Sequence, residues 1–377
     1  MHNFTIKIKP KPEKCDVFVG TDLFEKIAEY LVEKKLGNYH VIITDSKVKE
    51  LYAKTLLERL QMRDLKAVVL DFPEGEANKN RATKALLEDK MLKLGLGRDT
   101  VVIALGGGVV GDVAGFVAST YMRGVPCIQV PTTTVAQADS SYGGKTGIDV
   151  TYGKNLLGTF HNPRAVFVDI NTLKTLDKKN YINGLVEVIK HGFIKSKKLY
   201  DFFHENKGSI LNRKAKEYSK VMEELMLLSF NVKKEVIEKD HKEQNLRKIL
   251  NYGHTIGHAI EKLSNYTLLH GQAVAIGIAV EAFMASKLGY GSKEIYQAQK
   301  NTLELMGLAT KIPEKMSTKD IVTTTLLDKK ARKGLPEFIF LENIGTVKRF
   351  VLDSVSITLE LEVLEKMLNE YRKEFSS

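Results

Sequence analysis

Short apolar runs alternate with amphipathic stretches through the first half of the chain. Four runs have the length and composition of buried strands: residues 41–45, 67–72, 100–105 and 165–170. Two stretches between the first three runs, residues 46–60 and 80–94, carry apolar positions at helical spacing. Strands that alternate with helices in this way predict a parallel sheet covered by helices.

The pattern changes near residue 180. From that point strand-like runs give way to helical ones, among them residues 184–194 and 217–239. The chain is therefore predicted to form an α/β domain over residues 1–175 and an all-α domain over residues 176–377. A length of 377 residues is enough for two domains of ordinary size.

A glycine-rich loop follows the third predicted strand. Gly106, Gly108 and Gly111 fit the pattern G-x-G-x-x-G between a strand and a helix. The start of such a helix offers free N–H groups and partial positive charge to a pyrophosphate. The usual acid about 20 residues onward is missing, so Asp45, at the end of an earlier strand, is the better candidate to hold a ribose. Two interpretations stay open: dinucleotide binding in a Rossmann-like sheet of non-standard order, or a tight turn.

A long polar stretch, residues 120–163, is rich in Thr, Ser, Gly and Asp and is predicted to be irregular chain. Arg123, Lys145 and Lys154 within it would suit an anion such as a phosphate. The alternative is that the lysines are ordinary surface residues of a loop.

Residues 247–261 have apolar positions at helical spacing and contain no proline. On one helix at about 100° per residue, four polar side chains fall within roughly 60° of arc, with a carboxylate at the edge. These side chains are Arg247, Asn251, His254, His258 and Glu261. The alternative is a solvated polar face, although such faces are usually built from Lys, Glu and Gln.

A third imidazole, His270, opens the following apolar helix, so His254 and His270 could share a metal ion. A catalytic zinc requires three protein ligands and an open position. Glu187 is the candidate third ligand, because it lies in an otherwise apolar helical stretch where a carboxylate needs a partner. It could instead form an ordinary pair with Lys190 one turn away. His258 is placed to hydrogen-bond a substrate or to transfer protons.

Composition excludes several classes of function. The chain has 57 Lys and Arg against 46 Asp and Glu, a formal net charge of +11, but the basic residues are scattered and Trp is absent. We therefore expect no binding to nucleic acid. Cys15 and Cys127 form no C-x-x-C pair, and the sequence shows neither a secretory signal nor an apolar run of membrane-spanning length. These features predict a cytoplasmic protein that binds no membrane.

Seven motifs together resemble the 3-dehydroquinate synthases of the sugar-phosphate cyclase family. In chain order they are GGGVVGDVAGF, RGVPCIQVPTTTVAQADSSYGGKTGID, GKNLLGTFHNP, GLVEVIKHG, RKILNYGHTIGHAIE, HGQAVAIG and LLDKK. The resemblance covers about residues 40–345. It implies a homodimer whose N-terminal domain binds NAD+, with a helical metal-binding domain and an active site in the cleft between them.

The resemblance also implies an activity, that of a carbon–oxygen lyase acting on a phosphate ester. The substrate would be 3-deoxy-D-arabino-heptulosonate 7-phosphate and the products 3-dehydroquinate and phosphate, on the shikimate route to chorismate and the aromatic amino acids. In this chemistry NAD+ transiently oxidises a ring hydroxyl beside the metal, and phosphate leaves by β-elimination. The hydride is then returned and an intramolecular aldol step closes the carbocycle.

Residue roles follow from the same resemblance. It implies zinc or cobalt bound by Glu187, His254 and His270. The implied NAD+ contacts are Asp45, Glu76, Lys79, Gly106, Gly107, Gly108, Asp112, Thr132, Thr133, Asp139, Lys145 and Lys154. The implied catalytic residues are Arg123, contributed by the neighbouring subunit, and Lys145, Asn155, Lys190 and His258. The implied substrate-binding residues are Lys233, Arg247, Asn251 and one of Lys329 and Lys330.

Three alternatives differ in substrate or in class. Related cyclases act on sugar phosphates without a carboxylate, whereas Lys233, Arg247 and Asn251 together would bind one. A metal-dependent polyol dehydrogenase of the glycerol dehydrogenase type would release NADH and would not need phosphate-binding residues. A non-enzymatic protein on the same scaffold would be expected to lack a metal ligand, and none is lost here.

Overall fold

The computed structural model describes residues 13–241, 243–326 and 334–375. It divides into two compact units. The first contains the residues up to Phe18 together with Leu23–Pro131 and Ser141–Val168, and the second contains Val19–Asp22, Thr132–Ser140 and Asp169–Ser377.

The first unit is built on strands and the helices between them. Its strands are β1 (Asp16–Gly20), β2 (Tyr39–Asp45), β3 (Lys66–Phe72), β4 (Thr100–Gly106), β5 (Cys127–Pro131), β6 (Lys145–Val150), β7 (Gly153–Phe160) and β8 (Ala165–Asp169). The last residues of β1 and β8 belong to the second unit. Its helices are α1 (Phe24–Glu33), α2 (Ser46–Val48), α3 (Lys54–Gln61), α4 (Arg81–Lys93) and α5 (Gly108–Thr120). A π-helical turn, Lys49–Ala53, joins α2 to α3.

Six of these strands form one sheet in the order β1-β8-β5-β4-β2-β3. The pairs β2–β3, β2–β4, β4–β5 and β5–β8 are parallel, which confirms the predicted α/β architecture. Successive residues of β4 enter opposite cores, because neighbouring side chains of a strand point to opposite faces. Val102 packs into one hydrophobic core, and Val101 and Ile103 pack into the other. Burial on both faces explains why the strands read as continuous apolar runs.

The direction of the sheet connections reverses between β2 and β4. β3 lies on the outer side of β2, whereas β4 and β5 extend the sheet the other way. Thr44 pairs with Leu105, so the ends of β2 and β4 bring Asp45 and Gly106 to the same edge. Ligands of open α/β sheets bind at such a reversal, beyond the carboxyl ends of the strands.

The polar stretch that was predicted to be irregular is largely ordered, and that prediction is wrong. Residues 127–131 form β5, and β6 and β7 form an antiparallel hairpin in which Lys145 pairs with Phe160. Lys154 and Asn155 lie in β7. The two strands pair with each other and bury little apolar surface. Their sequence is therefore rich in Thr and Gly and lacks the clear alternation of apolar and polar residues that identifies a strand.

The second unit is mainly helical, as predicted. Its helices are α6 (Lys178–Lys195), α7 (Lys197–Leu211), α8 (Tyr218–Lys239), α9 (His254–Leu263), α10 (His270–Lys287), α11 (Lys293–Leu305), α12 (Thr318–Thr325) and α13 (Leu361–Lys373). Four short strands form two small antiparallel pairs: β9 (Glu337–Phe338) with β12 (Ile357–Thr358), and β10 (Leu341–Asn343) with β11 (Thr346–Val347). Throughout the described part of the chain, helices lack the combination of length and apolar character needed to cross a membrane.

The single helix predicted over residues 247–261 is not formed, and that prediction is wrong. A 3₁₀ segment, Leu246–Asn251, is followed by a break at Tyr252 and Gly253, and α9 begins at His254. Gly253 has φ +78°, and a Cβ at this position would lie 2.4 Å from Cγ1 of Ile278. Left-handed backbone and close packing both favour glycine at this position, and the left-handed backbone ends the helix. The polar residues on either side of the break therefore belong to two segments.

A largely buried ion pair ties the 3₁₀ segment to β9. Nζ of Lys248 donates to both carboxylate oxygens of Glu337, at 2.7 and 2.8 Å. Oγ of Ser356 donates to the same carboxylate, and Oγ1 of Thr255 donates to the backbone oxygen of Glu337 at 2.7 Å. Glu337 thus holds the 3₁₀ segment and the first turn of α9 together.

We expect Lys248→Met to lower the free energy of unfolding by about 3 kcal/mol, because it leaves the largely buried Glu337 carboxylate without its cation. The urea midpoint should fall accordingly. Circular dichroism at increasing urea measures the shift. Lys197→Met, which breaks the exposed pair with Asp201, is the matched control and should leave the midpoint nearly unchanged. Equal midpoints for the two variants would contradict a stabilising role for the buried pair.

Candidate active site

Three side chains of the second unit converge as a potential metal site. Glu187 comes from the middle of α6, and His254 and His270 are the first residues of α9 and α10. One ligand atom from each lies within 4.8 Å of the others. Nε2 of His270 is 3.5 Å and Nε2 of His254 is 3.8 Å from Oε1 of Glu187.

These separations fit a shared cation better than direct hydrogen bonds. Nitrogen and oxygen ligands about 2 Å from a tetrahedral zinc lie about 3.3 Å apart, whereas a good hydrogen bond to oxygen is shorter than about 3.2 Å. Oε1 of Glu187 is buried, and within the described part of the chain it accepts no hydrogen bond. A buried carboxylate oxygen without a partner is costly, so the donor set suits a divalent cation.

Cations beside Glu187 favour its ionised form. Nζ of Lys190, one turn along α6, donates to Oε2 of Glu187, and it also donates to the backbone oxygen of Leu250 at 2.6 Å. Burial by itself would raise the pKa of Glu187. The charge of Lys190 and the interaction with His270 outweigh burial and hold that pKa below its usual range.

Both imidazoles present Nε2 toward Glu187 because Nδ1 has another partner. Nδ1 of His254 lies 3.0 Å from the backbone oxygen of Tyr252, which can only accept a hydrogen bond. Nδ1 of His270 lies 3.1 Å from Oε2 of Glu261. Burial lowers the pKa of His270, but the neighbouring carboxylates of Glu187 and Glu261 raise it to about 9. A metal ion bound at Nε2 would displace the proton from that nitrogen.

His258 lies beside the metal ligands without being one of the three. Its ring centroid is 5.2 Å from that of His254 and 5.8 Å from that of His270. It follows His254 by one turn of α9 and is only half-buried. It is therefore positioned to reach a molecule bound beside the three ligands, which its predicted role in substrate binding requires.

Three cations of the second unit, Lys190, Lys233 and Arg247, are almost fully buried. Burial and the charges of Arg247 and Lys190 lower the pKa of Lys233, although Asp139 opposes the shift. Lys233 is 2.7 Å from Oδ1 of Asp139. Burial would raise the pKa of Asp139, but Lys233 and Lys190 lower it below its usual range. Burying like charges together is unfavourable unless anions compensate them, so the cluster suits an anionic ligand.

The segment that carries Arg247 is fixed by hydrogen bonds to nearby loop residues. Nη1 of Arg247 donates to the backbone oxygen of His241 at 2.5 Å, and its backbone N–H donates to Asp240 at 3.0 Å. Nδ2 of Asn251 donates to Glu243 at 2.6 Å. The break at Gly253 thus leaves Arg247 and Asn251 in a separately anchored segment.

Several residues predicted to bind a dinucleotide form one polar network in the first unit. Nζ of the buried Lys79 lies 2.6 Å from Oδ2 of Asp112 and donates to Oδ1 of Asn155 at 2.5 Å. Lys154 lies 3.4 Å from Glu76. Charged and amide groups from the glycine-loop helix, from the 3₁₀ turn Glu76–Asn78 and its C-cap, and from the hairpin are therefore assembled side by side.

The glycine loop has the geometry of an anion site. No described side chain caps the start of α5, which leaves its first N–H groups available. A Cβ at Gly106 would lie 2.5 Å from Cγ2 of Val110, so only glycine fits this turn. Asp45, beside Gly106, accepts a hydrogen bond from the N–H of Val48 at 2.8 Å. Burial raises the pKa of Asp45, and the backbone hydrogen bonds offset this only in part.

The remaining predicted site residues are spread over both units. Gly107 and Gly108 begin α5, and Thr132, Thr133 and Asp139 belong to the second unit. Arg123 and Lys145 are exposed on the first unit, and Arg123 has φ +68°. Lys329 and Lys330 lie outside the described residues. The roles assigned to individual residues stay predictions.

The sequence patterns did not predict the contacts of three supporting residues. Glu261 was placed only at the edge of a helix face, whereas it contacts His270. Asp149 accepts the backbone N–H of Asn155 at 2.8 Å, which holds Asn155 in left-handed backbone. Glu337, which pairs with Lys248, gave no local signal. Only Glu261 could have been found in advance, because it lies seven residues after His254 and thus on the same helix face.

Sequence comparison identifies relatives along most of the chain. The profile of the 3-dehydroquinate synthase N-terminal domain matches residues 69–183, and that of the 3-dehydroquinate synthase C-terminal domain matches residues 184–331. A 3-dehydroquinate synthase of Thermodesulfovibrio yellowstonii is 40% identical over 347 residues, which cover 92% of this chain and 93% of that protein.

Structure comparison identifies two other synthases with similar folds at lower identity. A 2-epi-5-epi-valiolone synthase from Streptomyces hygroscopicus subsp. jinggangensis, solved with NAD+ and Zn2+, is 25% identical, with a TM-score of 0.86 and coverage of 98% of this chain and 100% of that one. A 2-deoxy-scyllo-inosose synthase, solved with carbaglucose-6-phosphate, NAD+ and Co2+, is also 25% identical, with a TM-score of 0.83 and coverage of 94% and 96%. This chain belongs to the 3-dehydroquinate synthase family.

Proposed function

We propose that this protein is a 3-dehydroquinate synthase that converts 3-deoxy-D-arabino-heptulosonate 7-phosphate to 3-dehydroquinate and phosphate. Its reaction is then that of a carbon–oxygen lyase. The observation that carries the proposal is the convergence of Glu187, His254 and His270, in a chain of this family, next to a cluster of buried cations.

The proposed cofactors are NAD+ and zinc or cobalt. Bound NAD+ would supply reversible acceptance of a hydride from the substrate. Asp45 and the start of α5, at the reversal of the sheet, are the groups that would hold a ribose and the pyrophosphate. A divalent metal between Glu187 and the two imidazoles supplies Lewis-acid polarisation of a substrate oxygen.

The substrate carboxylate is assigned to Lys233, Arg247 and Asn251. Lys233 and Arg247 are buried cations, and Asn251 lies one turn after Arg247 in the same anchored segment. A bound carboxylate would offset their mutual repulsion in a way that a neutral sugar could not. This favours the acid substrate over the carboxylate-free sugar phosphates of related cyclases.

The substrate phosphate is assigned to Lys145, Asn155 and Arg123, with Arg123 contributed by a second subunit of a homodimer. Arg123 is exposed on a turn in which Met122 and Arg123 both have positive φ. The outer strand of the hairpin, β7, also exposes Leu156, Leu157 and Phe160. An apolar edge strand of this kind is a surface suited to a partner chain. A cytoplasmic location stays a prediction.

Proton transfers are assigned to His258, and a hydrogen bond to a substrate oxygen is assigned to Lys190. His258 is the half-buried imidazole beside the ligand trio, and neutral imidazole accepts and returns protons near neutral pH. Lys190 is fixed by Glu187 and by the backbone oxygen of Leu250. It can therefore hydrogen-bond a substrate oxygen without having to be ordered first.

We expect purified protein, supplied with NAD+ and zinc, to release phosphate from 3-deoxy-D-arabino-heptulosonate 7-phosphate without net formation of NADH, because the hydride is returned in each cycle. A phosphate assay and the absorbance at 340 nm measure the two quantities in one reaction.

Two controls make the outcome specific. Sedoheptulose 7-phosphate, which lacks the carboxylate, should give little phosphate. Steady growth of absorbance at 340 nm with glycerol or another polyol would instead identify a dehydrogenase and would contradict the proposed function.

A further inference from the structure

A carboxylate outside the ligand trio contacts one of the two imidazoles. Glu261 is buried in α9, two turns after His254. Its Oε2 lies 3.1 Å from Nδ1 of His270, whose Nε2 lies 3.5 Å from Oε1 of Glu187. The His270 ring therefore lies between two carboxylates, one on each nitrogen.

Nδ1 has a different hydrogen-bond partner in each of the two candidate ligand imidazoles. Nδ1 of His254 faces a neutral carbonyl, the backbone oxygen of Tyr252, whereas Nδ1 of His270 faces the carboxylate of Glu261. An imidazole that donates Nδ1–H to a carboxylate keeps its lone pair on Nε2 and becomes a more basic ligand. The partner of Nδ1 thus distinguishes His270 from His254.

The turn between α9 and α10 fixes Glu261 relative to His270. Oγ of Ser264 donates to the backbone oxygen of Glu261 at 2.6 Å and accepts the N–H of Leu268 at 3.2 Å. The N–H of Leu269 then donates to Oε1 of Gln272 at 3.0 Å, which caps α10. These bonds fix the backbone between the last turn of α9 and the start of α10, and so fix the positions from which Glu261 and His270 extend toward each other.

We propose that Glu261 is a positioning residue that selects the tautomer and fixes the ring orientation of His270, and that it thereby tightens metal binding. The inference rests on the proposed function only in that it requires a metal at Glu187, His254 and His270. It predicts an effect of Glu261 on metal affinity that is separate from any effect on folding.

Zinc affinity of the purified full-length protein, measured by competition with a chromophoric chelator, tests this role. We expect Glu261→Ala to weaken zinc binding roughly 10- to 100-fold, as for other carboxylates that orient a ligand histidine. Glu261→Gln keeps an acceptor oxygen but loses the charge, and should weaken binding several-fold. The visible absorption of the cobalt-substituted protein should also change in the alanine variant, because it reports the geometry around the metal.

Lys262→Gln, an exposed neighbour on the same helix, is the matched control and should bind zinc like the wild type. Wild-type protein that binds no zinc would contradict the proposed metal site itself. If wild-type protein binds zinc, unchanged affinity in Glu261→Ala would overturn the inference. If Glu261→Ala does not fold, Glu261→Leu, which also lacks an acceptor for Nδ1–H of His270, decides the question in the same way. The melting temperature of the metal-free variants separates a loss of stability from a loss of affinity.

Discussion

Replacement of His254 by alanine is expected to remove the bound metal and the activity together while the fold persists. Nε2 of His254 faces Glu187, and its loss leaves two ligands, too few for a catalytic zinc site. Because a Lewis acid supplies several kcal/mol of charge stabilisation, we expect activity to fall at least roughly 1,000-fold. Alanine is favourable in a helix, and Ile256, Ala259 and Ile260 remain to pack α9.

The zinc content per chain and the circular dichroism spectrum test this expectation. His204→Ala is the matched control, since His204 on α7 contacts Thr302 instead of the ligand trio. It should retain zinc and activity. Stoichiometric zinc in purified His254→Ala would exclude His254 as a ligand and would remove the metal from the centre of the proposed reaction.

Arg247→Ala is expected to raise KM for the acid substrate about 100-fold, the effect of losing a hydrogen bond between charged groups worth about 2.7 kcal/mol. Arg247 is buried in the 3₁₀ segment and shares a cluster with Lys233. NAD+ binding should change little, because the dinucleotide is assigned to other residues. Steady-state kinetics with each ligand varied in turn measure the two effects.

Arg247→Lys distinguishes charge from geometry at the same position. Lysine keeps the positive charge but cannot donate two parallel hydrogen bonds to a carboxylate. We expect a KM between those of the wild type and the alanine variant. Equal losses of affinity for NAD+ and for substrate in Arg247→Ala would contradict the assignment of Arg247 to the substrate carboxylate.

Much of the fold follows from local sequence. The strands β2, β3 and β4 were predicted within two residues of their bounds, because strands buried on both faces are continuous apolar runs. The glycine loop was also predicted correctly between β4 and α5, because its motif consists of residues that are neighbours in sequence. The proposed metal ligands were also predicted from the sequence, since a carboxylate within an apolar helical stretch is unusual, and His254 and His270 lie on two neighbouring predicted helices.

The sequence by itself thus determined the two-part architecture, the parallel strands and the residue types of the candidate metal site. The tertiary structure alone decided the break at Gly253, the β6–β7 hairpin, the contact of Glu261 with His270 and the pairing of Lys248 with Glu337 across 89 residues. The physical reason is that periodicity records which face of an element is buried. It does not record which distant side chain packs against that face, and these contacts depend on such packing.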